Sequence, residues 1–169
     1  MKLVVGRDLE DFKRYYKTGG AWFMGNLGVT EENIVKKDPS HLIVFKEDNQ
    51  IIGHAIWHEA NTEEHRKGEA RNEKDKEILQ KLLDRQKDFV ELHELWLKKE
   101  YRGKGYGKKF FEFFEEFIAN RGCDSIIFYA DHPAAIAICR KRGYKEDYGV
   151  EEEGRTYYVF HLSLKNHDF

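Results

Sequence analysis

The stretch from Arg102 to Gly107 constrains the fold more than any other part of the sequence. A strand-like apolar run, Leu92 to Leu97, precedes it, and a phenylalanine-rich run with helical spacing, Lys108 to Ala119, follows. Glycines let a backbone approach a ligand closely, and a helix N-terminus carries partial positive charge. A strand, a glycine loop and a helix in this order therefore predict a site for a phosphorylated cofactor.

Composition and charge limit the kinds of protein that the chain can be. With 169 residues, 40% hydrophobic and 36% charged, the sequence predicts a single globular domain over 1–169. The net charge is −2 and the two signs are interleaved, which disfavours a nucleic-acid-binding surface. No apolar stretch approaches the ~20 residues that span a bilayer. We therefore expect neither nucleic acid nor membrane as a partner.

The cysteines and histidines predict neither a redox nor a metal site. Cys123 and Cys139 have no metal or redox spacing, and no signal peptide is visible, so we expect two reduced thiols in a cytoplasmic protein. His54 and His58 fall on one strand face with no third ligand in view. The prediction is therefore a chain without a metal.

Hydrophobic periodicity predicts the order β-α-α-β-β-(insert)-β-α-β-α-β-β. The insert, 59–88, is highly charged, and its second half has leucines at helical spacing. The fold class is α/β (α+β), with a mixed sheet of about six to seven strands, helices on both faces and a helical insertion between strands 3 and 4. The region 89–130 is predicted to be a parallel βαβ unit.

Glycine spacing separates three kinds of phosphate site. A Walker loop requires G-x-x-x-x-G-K-S/T, which the chain lacks, and a dinucleotide loop requires G-x-G-x-x-G early in the chain. The spacing here, Arg-x-x-Gly-x-Gly, instead resembles the acyl-CoA loop of the GNAT superfamily of N-acetyltransferases. The strand exit Leu95 to Tyr101 and the segment His132 to Tyr144 resemble the fourth strand and the last helix of that family.

The resemblance implies a site for coenzyme A. The pyrophosphate would lie on the backbone of the glycine loop, the pantetheine arm would pair with the edge of the fourth strand, and His132 stands where the family usually has asparagine. The cofactor-binding residues so implied are Leu95, Trp96, Leu97, Arg102, Gly103, Lys104, Gly105, Tyr106, Gly107, Lys108, His132 and Ala135.

Acyl transfer to an amine requires removal of a proton from the amine, stabilisation of the carbonyl oxygen and a proton for the leaving thiolate. Glu91 and His93 share one strand face and are the candidate bases, Glu91 first and His93 second, acting either directly or through water. The resemblance assigns polarisation of the carbonyl to the backbone N–H of Leu97 or Trp96. Cys139 stands where the family commonly has tyrosine, so it is either the acid or a small buried residue.

The sequence thus predicts an N-acetyltransferase that uses acetyl-CoA and acts by direct attack of a primary amine in a ternary complex. The acceptor is a small molecule or a protein amine, and the chain is a monomer or a homodimer. The alternatives are a non-catalytic acyl-CoA-binding module of the same fold and a transferase for another acyl-CoA. Trp22, Phe23 and Met24 either line the acceptor cleft or plug the core beneath a loop.

Overall fold

A computed structural model of the protein describes residues 1–7, 9–18, 29–63 and 73–165. Within these residues, seven strands and five α-helices follow the predicted order. They are β1 (Lys2–Val5), α1 (Leu9–Thr18), α2 (Val29–Lys37), β2 (Leu42–Glu47), β3 (Gln50–Asn61), α3 (Glu73–Leu83), β4 (Asp88–Leu97), α4 (Tyr106–Asn120), β5 (Ser125–Ala130), α5 (Pro133–Lys141), β6 (Lys145–Glu152) and β7 (Arg155–Ser163).

The seven strands belong to one mixed sheet in the order β1-β2-β3-β4-β5-β7-β6, which confirms the predicted fold class. Contacts between Cα atoms group the chain into two units. The first comprises Met1–His58 and Leu92–Phe110, and the second comprises Glu59–Glu91 and Phe111–Phe169. The strand β4 begins in the second unit and ends in the first. The prediction of one domain over 1–169 stays a prediction.

In the first unit, β1, β2 and β3 pair antiparallel, and β2 and β3 form a hairpin. Glu47 pairs with Gln50, so Asp48 and Asn49 form the turn, with φ of 49° and 65°. Asp and Asn adopt this left-handed region more readily than most residues, which is why a two-residue hairpin turn forms here.

A buried apolar core joins α1 and α2 to the strands of the first unit. Its residues are Phe12, Val35, Leu42, Val44 and Ile56. Because Val35 of α2 belongs to this core, α2 has a fixed place against β2 and β3. The first turn of α2, with Glu31, is positioned by the same packing.

Gly53 lies where β3 passes close to the end of β4. A Cβ atom added to Gly53 would lie 2.5 Å from the backbone oxygen of Trp96 and 2.7 Å from Cδ2 of Phe45. The neighbouring backbone is hydrogen-bonded, since the N–H of Lys98 donates to the oxygen of Ile52 at 2.8 Å. Only glycine fits at this position, and the fit fixes the end of β4 against β3.

In the second unit, β7 lies between β5 and β6 and pairs antiparallel with both. The β6–β7 hairpin closes at a turn in which Glu153 and Gly154 have φ of 50° and 76°. The third strand, β3, continues beyond Trp57 to Asn61. The N–H of Thr62 donates to the oxygen of Lys87 at 3.0 Å, which holds the far end of β3 beside the start of β4.

The inserted helix α3 is part of the core of the second unit. Its four buried apolar residues, Ile78, Leu79, Leu82 and Leu83, pack with Phe89, Ile127, Val150 and Val159. Asp75 of the same helix is 3% exposed and accepts a hydrogen bond of 2.6 Å from the hydroxyl of Tyr129. The predicted helical insertion is confirmed, and α3 packs into the core rather than forming a solvated surface segment.

A polar chain of three side chains lies inside the second unit. Ser125 Oγ donates to Gln86 Oε1 at 2.7 Å and lies 3.0 Å from Nε2 of His161, which is 6% exposed. Because the serine proton is directed to Gln86, Nε2 of His161 is the donor in its contact with the serine oxygen. Burial, with a smaller contribution from the positive charge of Lys145, lowers the pKa of His161 from 6.5 to about 4.

We expect His161 to make the protein less stable in mild acid. The unfolded chain takes up a proton on this histidine near pH 6.5, and the folded chain does so only near pH 4. Its stabilising contribution is complete above the first value and is lost as the pH falls towards the second, by about 2 to 3 kcal/mol. Urea unfolding at several pH values would measure the loss. In His161→Gln this part of the pH dependence should disappear, and an unchanged slope would contradict the assignment.

Among the residues that the structure describes, no helix is both long enough and apolar enough to cross a membrane.

Candidate functional site

The glycine loop connects the end of β4 to the start of α4. Gly103 and Gly105 have φ of +77° and +83°, and no atom lies within 4 Å of a Cβ built on either residue. The four residues 102–105 are exposed, and Tyr106 begins α4. The first N–H groups of a helix have no partner within the helix, so this end of α4 offers donors to an anion. A ligand can therefore approach the backbone of both glycines on the side where a Cβ would lie.

Side chains hold the loop in this position. Nε of Arg102 donates to the backbone oxygen of Leu97 at 2.8 Å, and the hydroxyl of Tyr106 donates to Glu47 Oε2 at 2.9 Å. The hydrogen bond to the Glu47 carboxylate is the main cause that raises the pKa of Tyr106. Lys104 places its ammonium group 5.7 Å from the ring centre of Tyr101. Arg102 thus fastens the loop to β4, which leaves anion binding mainly to the backbone.

His93 on β4 is paired with a carboxylate from α2. Its Nε2 lies 3.0 Å from Oε1 of Glu31, and both side chains are partly buried, with 21% and 24% of their surface exposed. The hydrogen bond from His93 lowers the pKa of Glu31, so the carboxylate is ionised at neutral pH. The ring of His58 on β3 lies near, with 5.7 Å between ring centres. Sequence reasoning missed Glu31, because no local spacing connects α2 to β4.

Glu91, the other candidate base, is 2% exposed. Glu91 is therefore a buried carboxylate rather than a surface one. A carboxylate in such a place needs polar partners, and catalytic carboxylates are often buried in this way. Glu91 and His93 keep the predicted alternation with Leu92 along β4.

Glu94 and His54 form a separate buried pair in the first unit. Oε2 of Glu94 lies 2.7 Å from Nε2 of His54, which has no exposed surface and packs against the ring of Phe12. His54 and His58, which the sequence places on one strand face, therefore have different polar neighbours. They do not converge on one ligand position.

His132 is the N-cap residue of helix α5 in the second unit. Nδ1 of His132 accepts a hydrogen bond of 3.2 Å from the N–H of Ala134, and Pro133 occupies the first turn. This bond makes Nε2 the protonated nitrogen, so the exposed imidazole keeps a donor. The asparagine expected from the resemblance would cap the helix in the same way. The predicted contacts of His132 and Ala135 with the pantetheine arm stay predictions.

Cys139 on α5 is fully buried. Burial raises the pKa of its thiol to about 12, with a smaller contribution from the negative charge of Glu115. That carboxylate is itself buried, is paired with Arg142 and accepts a hydrogen bond of 3.2 Å from the hydroxyl of Tyr144. A thiol in these surroundings stays protonated but releases its proton poorly. The surroundings favour a packing role over an acid role.

Trp22, Phe23 and Met24, the candidates for the acceptor cleft, lie outside the described residues.

Comparison with known proteins identifies the family. The model of the acetyltransferase (GNAT) family matches residues 8–144, and no curated protein matches the sequence. Among solved structures, polyamine N-acetyltransferase of Drosophila melanogaster has a TM-score of 0.66 at 12% identity, covering 96% of this chain and 100% of its own.

Two further structures are similar. The mosquito protein named arylalkylamine N-acetyltransferase like 5b has a TM-score of 0.66 at 15% identity. The match covers 96% of this chain and 99% of the mosquito protein. Ard1 of Thermoplasma volcanium has a TM-score of 0.63 at 10% identity, and the match covers 96% of each chain. Identities this low establish the fold alone. Because the family match spans most of the sequence, the chain belongs to the GNAT family of acetyltransferases and is an acyltransferase.

Proposed function

We propose that the protein transfers an acetyl group from acetyl-CoA to a primary amine by direct attack in a ternary complex. The observation that carries the proposal is the exposed loop at Gly103 and Gly105, which leads into α4 in a chain of this family. Backbone N–H groups there would hold the pyrophosphate. The exposed cations Lys104 and Lys108 add positive charge beside it. The pantetheine arm would pair with the backbone of 95–97.

The base that we propose is on β4. Glu91 or His93 takes a proton from the amine as its nitrogen bonds to the thioester carbon. The backbone N–H of Trp96 or Leu97 stabilises the carbonyl oxygen while charge develops there. The carbon–sulfur bond then breaks, and the thiolate takes a proton from water or from an acid. Cys139 is the candidate acid, but its burial and raised pKa make it the weakest of these assignments.

The acceptor that we propose is a small-molecule or protein amine. The similar structures include enzymes named for polyamines, agmatine and arylalkylamines, so their names support amines as a class without selecting one. Free thiols at Cys123 and Cys139 support a reducing compartment, for which we propose the cytoplasm.

A non-catalytic module that binds acyl-CoA is the second candidate. The observation in its favour is Cys139, which is buried at the position where the family commonly has tyrosine. Such a module would bind acetyl-CoA as well as an enzyme does, so binding alone does not separate the two functions.

A thermal-shift and transfer assay tests both functions. At a concentration about 100 times its Kd, acetyl-CoA should raise the Tm by about 5 to 10 °C, because it binds only the folded chain. Release of free coenzyme A thiol would then be measured with spermidine, agmatine, phenylethylamine and a short peptide. An unchanged Tm at saturating acetyl-CoA contradicts acetyl-CoA as the cofactor. A raised Tm without release of coenzyme A thiol in the presence of any of the amines supports the binding module. Succinyl-CoA, tested in parallel, detects a preference for another acyl group.

A further inference from the structure

We propose that His58, Glu91 and His93 form a binding site for one divalent transition-metal ion of the zinc class, and that the bound ion inhibits acetyl transfer. The inhibition rests on the proposed function, because Glu91 and His93 are also its candidate bases. Binding of the ion does not depend on any activity. The sequence pointed only to His54 and His58 and therefore predicted no metal.

The three side chains converge on one place. One nitrogen from each imidazole and one carboxylate oxygen of Glu91 all lie within 4.8 Å of one another. The ring centres of His58 and His93 are 5.7 Å apart. Ligand atoms at ~2.1 Å from a tetrahedral zinc ion lie about 3.4 Å apart, so small side-chain rotations would bring all three ligands onto one ion.

Two neighbouring strands supply these ligands. His58 is on β3, Glu91 and His93 are on β4, and the two strands are adjacent in the sheet. Residues two positions apart on a strand point to the same face, so Glu91 and His93 present their ligand atoms together. Sites built on strands are held more precisely than sites on loops. The positions of the ligands are therefore largely set before an ion arrives.

The chemistry of the ligand set and its surroundings favours a zinc-like cation. Two imidazoles and one carboxylate are ligands that zinc takes in proteins, and three ligands leave one position for water. Glu91 is 2% exposed, and the carboxylate of Glu31 lies 3.0 Å from Nε2 of His93. A divalent cation would offset both negative charges and lower the cost of burying Glu91. Magnesium and calcium prefer sets of oxygen ligands, so we expect Zn²⁺ to bind in preference to them.

A bound ion would prevent Glu91 and His93 from acting as bases. A nitrogen or oxygen atom that ligates a metal shares its lone pair with the ion, and that lone pair no longer accepts a proton from the amine. The inhibition should be reversible, since a chelator removes the ion. The glycine loop at 102–107 consists of other residues, so acetyl-CoA should still bind.

Zinc titration of untagged, EDTA-treated protein tests the site without reference to activity. Calorimetry should show one Zn²⁺ bound per chain. We expect His58→Gln, Glu91→Gln and His93→Gln each to weaken binding by at least about 10-fold, a loss that changes to the outer partners of metal ligands already cause. Thermal unfolding checks that each variant is folded. A parent protein that binds no Zn²⁺, or three variants that bind it as tightly as the parent, would overturn the inference.

The residue next to His58 provides a matched control. Glu59 is exposed, and alternation along β3 places its side chain on the opposite face of the strand from His58. Glu59→Gln makes the same chemical change as Glu91→Gln close to the site but removes no ligand. Its affinity for Zn²⁺ should equal that of the parent protein, and a loss as large as that of Glu91→Gln would show that general charge, rather than ligation, holds the ion.

Nitrogen NMR of the labelled parent protein identifies the ligands even if one of the variants folds poorly. Addition of Zn²⁺ should shift the ring nitrogen signals of His58 and His93, whereas the signals of His161, which is buried beside Ser125, should stay in place. Unshifted signals of His58 and His93 in the presence of bound Zn²⁺ would contradict the site.

Formation of the acetylated amine, measured by mass spectrometry so that Zn²⁺ does not disturb thiol detection, tests the inhibition. The rate of each protein with Zn²⁺ is divided by its own metal-free rate. Saturating Zn²⁺ should slow the parent and Glu59→Gln by on the order of 100-fold or more, the loss of a general base, and EDTA should reverse it. The same concentration should leave most of the rate of His58→Gln.

Two results separate the inhibition from the proposed function. Zn²⁺ that binds at the three residues without slowing transfer would overturn the inhibition. Zn²⁺ that binds there in a protein that acetylates no amine would refute the proposed function and leave the metal site standing.

Discussion

Replacing Glu91 and His93 together by glutamine is expected to slow acetyl transfer by on the order of 10²- to 10⁴-fold, the usual contribution of a general base. Glutamine keeps nearly the size of glutamate and still forms hydrogen bonds, but at neutral pH it takes no proton. The cofactor loop is fastened by Arg102 and Tyr106 and does not involve either residue. Acetyl-CoA should therefore bind as before, which calorimetry and thiol release would show together.

The single variants and two controls make the result specific. If one residue is the base, one single variant alone should account for the whole loss. Glu116→Gln, an exposed change on α4, should behave as the parent protein. Cys139→Ser should also keep kcat close to the parent value, since a buried thiol with a pKa of about 12 is a poor acid. A Cys139→Ser variant with lowered kcat and normal stability would show that the cysteine is the acid. Full activity in the variant that replaces both Glu91 and His93 would show that water is the base.

Gly53→Ala is expected to cost about 3 kcal/mol of the free energy of unfolding, at the upper end of overpacking effects. The new methyl group would lie 2.5 Å from the backbone oxygen of Trp96, and backbone in a paired strand has little room to move. The end of β4 would have to shift away from β3, so we also expect weaker binding of acetyl-CoA. Urea unfolding and calorimetry measure the two effects.

Gly122→Ala separates the steric effect from the conformational one. Gly122 has φ of +83° with no atom within 4 Å of an added Cβ, so alanine there meets strain but no clash. Its cost should be about 1 kcal/mol, with cofactor binding unchanged. A Gly53→Ala protein no less stable than Gly122→Ala would show that β4 adapts freely at this point.

Local patterns carry most of the fold. The left-handed residues at Asp48 and Asn49, the glycines of the loop and the spacing of apolar residues each depend on neighbours a few positions away. Such signals are contained in the sequence itself, and so the order of strands and helices and the cofactor loop were predictable. The family resemblance of the loop and its flanking segments was confirmed by a match over residues 8–144.

The candidate site was less predictable, because its decisive contacts join distant parts of the chain. Glu31 and His93 are 62 positions apart, and an acidic residue in the first turn of a helix is ordinary on its own. The burial of Glu91 and of Cys139 likewise depends on what packs over them, which a single strand or helix does not specify. Sequence reasoning selected the strand that carries the chemistry and left open the state of its residues.

The packing of α3 matters for anyone who shortens the protein. Its sequence is rich in Lys and Glu and looks suitable for removal, as surface loops often are. Yet four of its side chains belong to an apolar cluster, and Asp75 accepts a hydrogen bond from the hydroxyl of Tyr129. A deletion would uncover Phe89, Ile127 and Val159 at once and strand a polar group among them. A shortened version for crystallisation or display should therefore keep this helix, and residues should be removed from other parts of the chain.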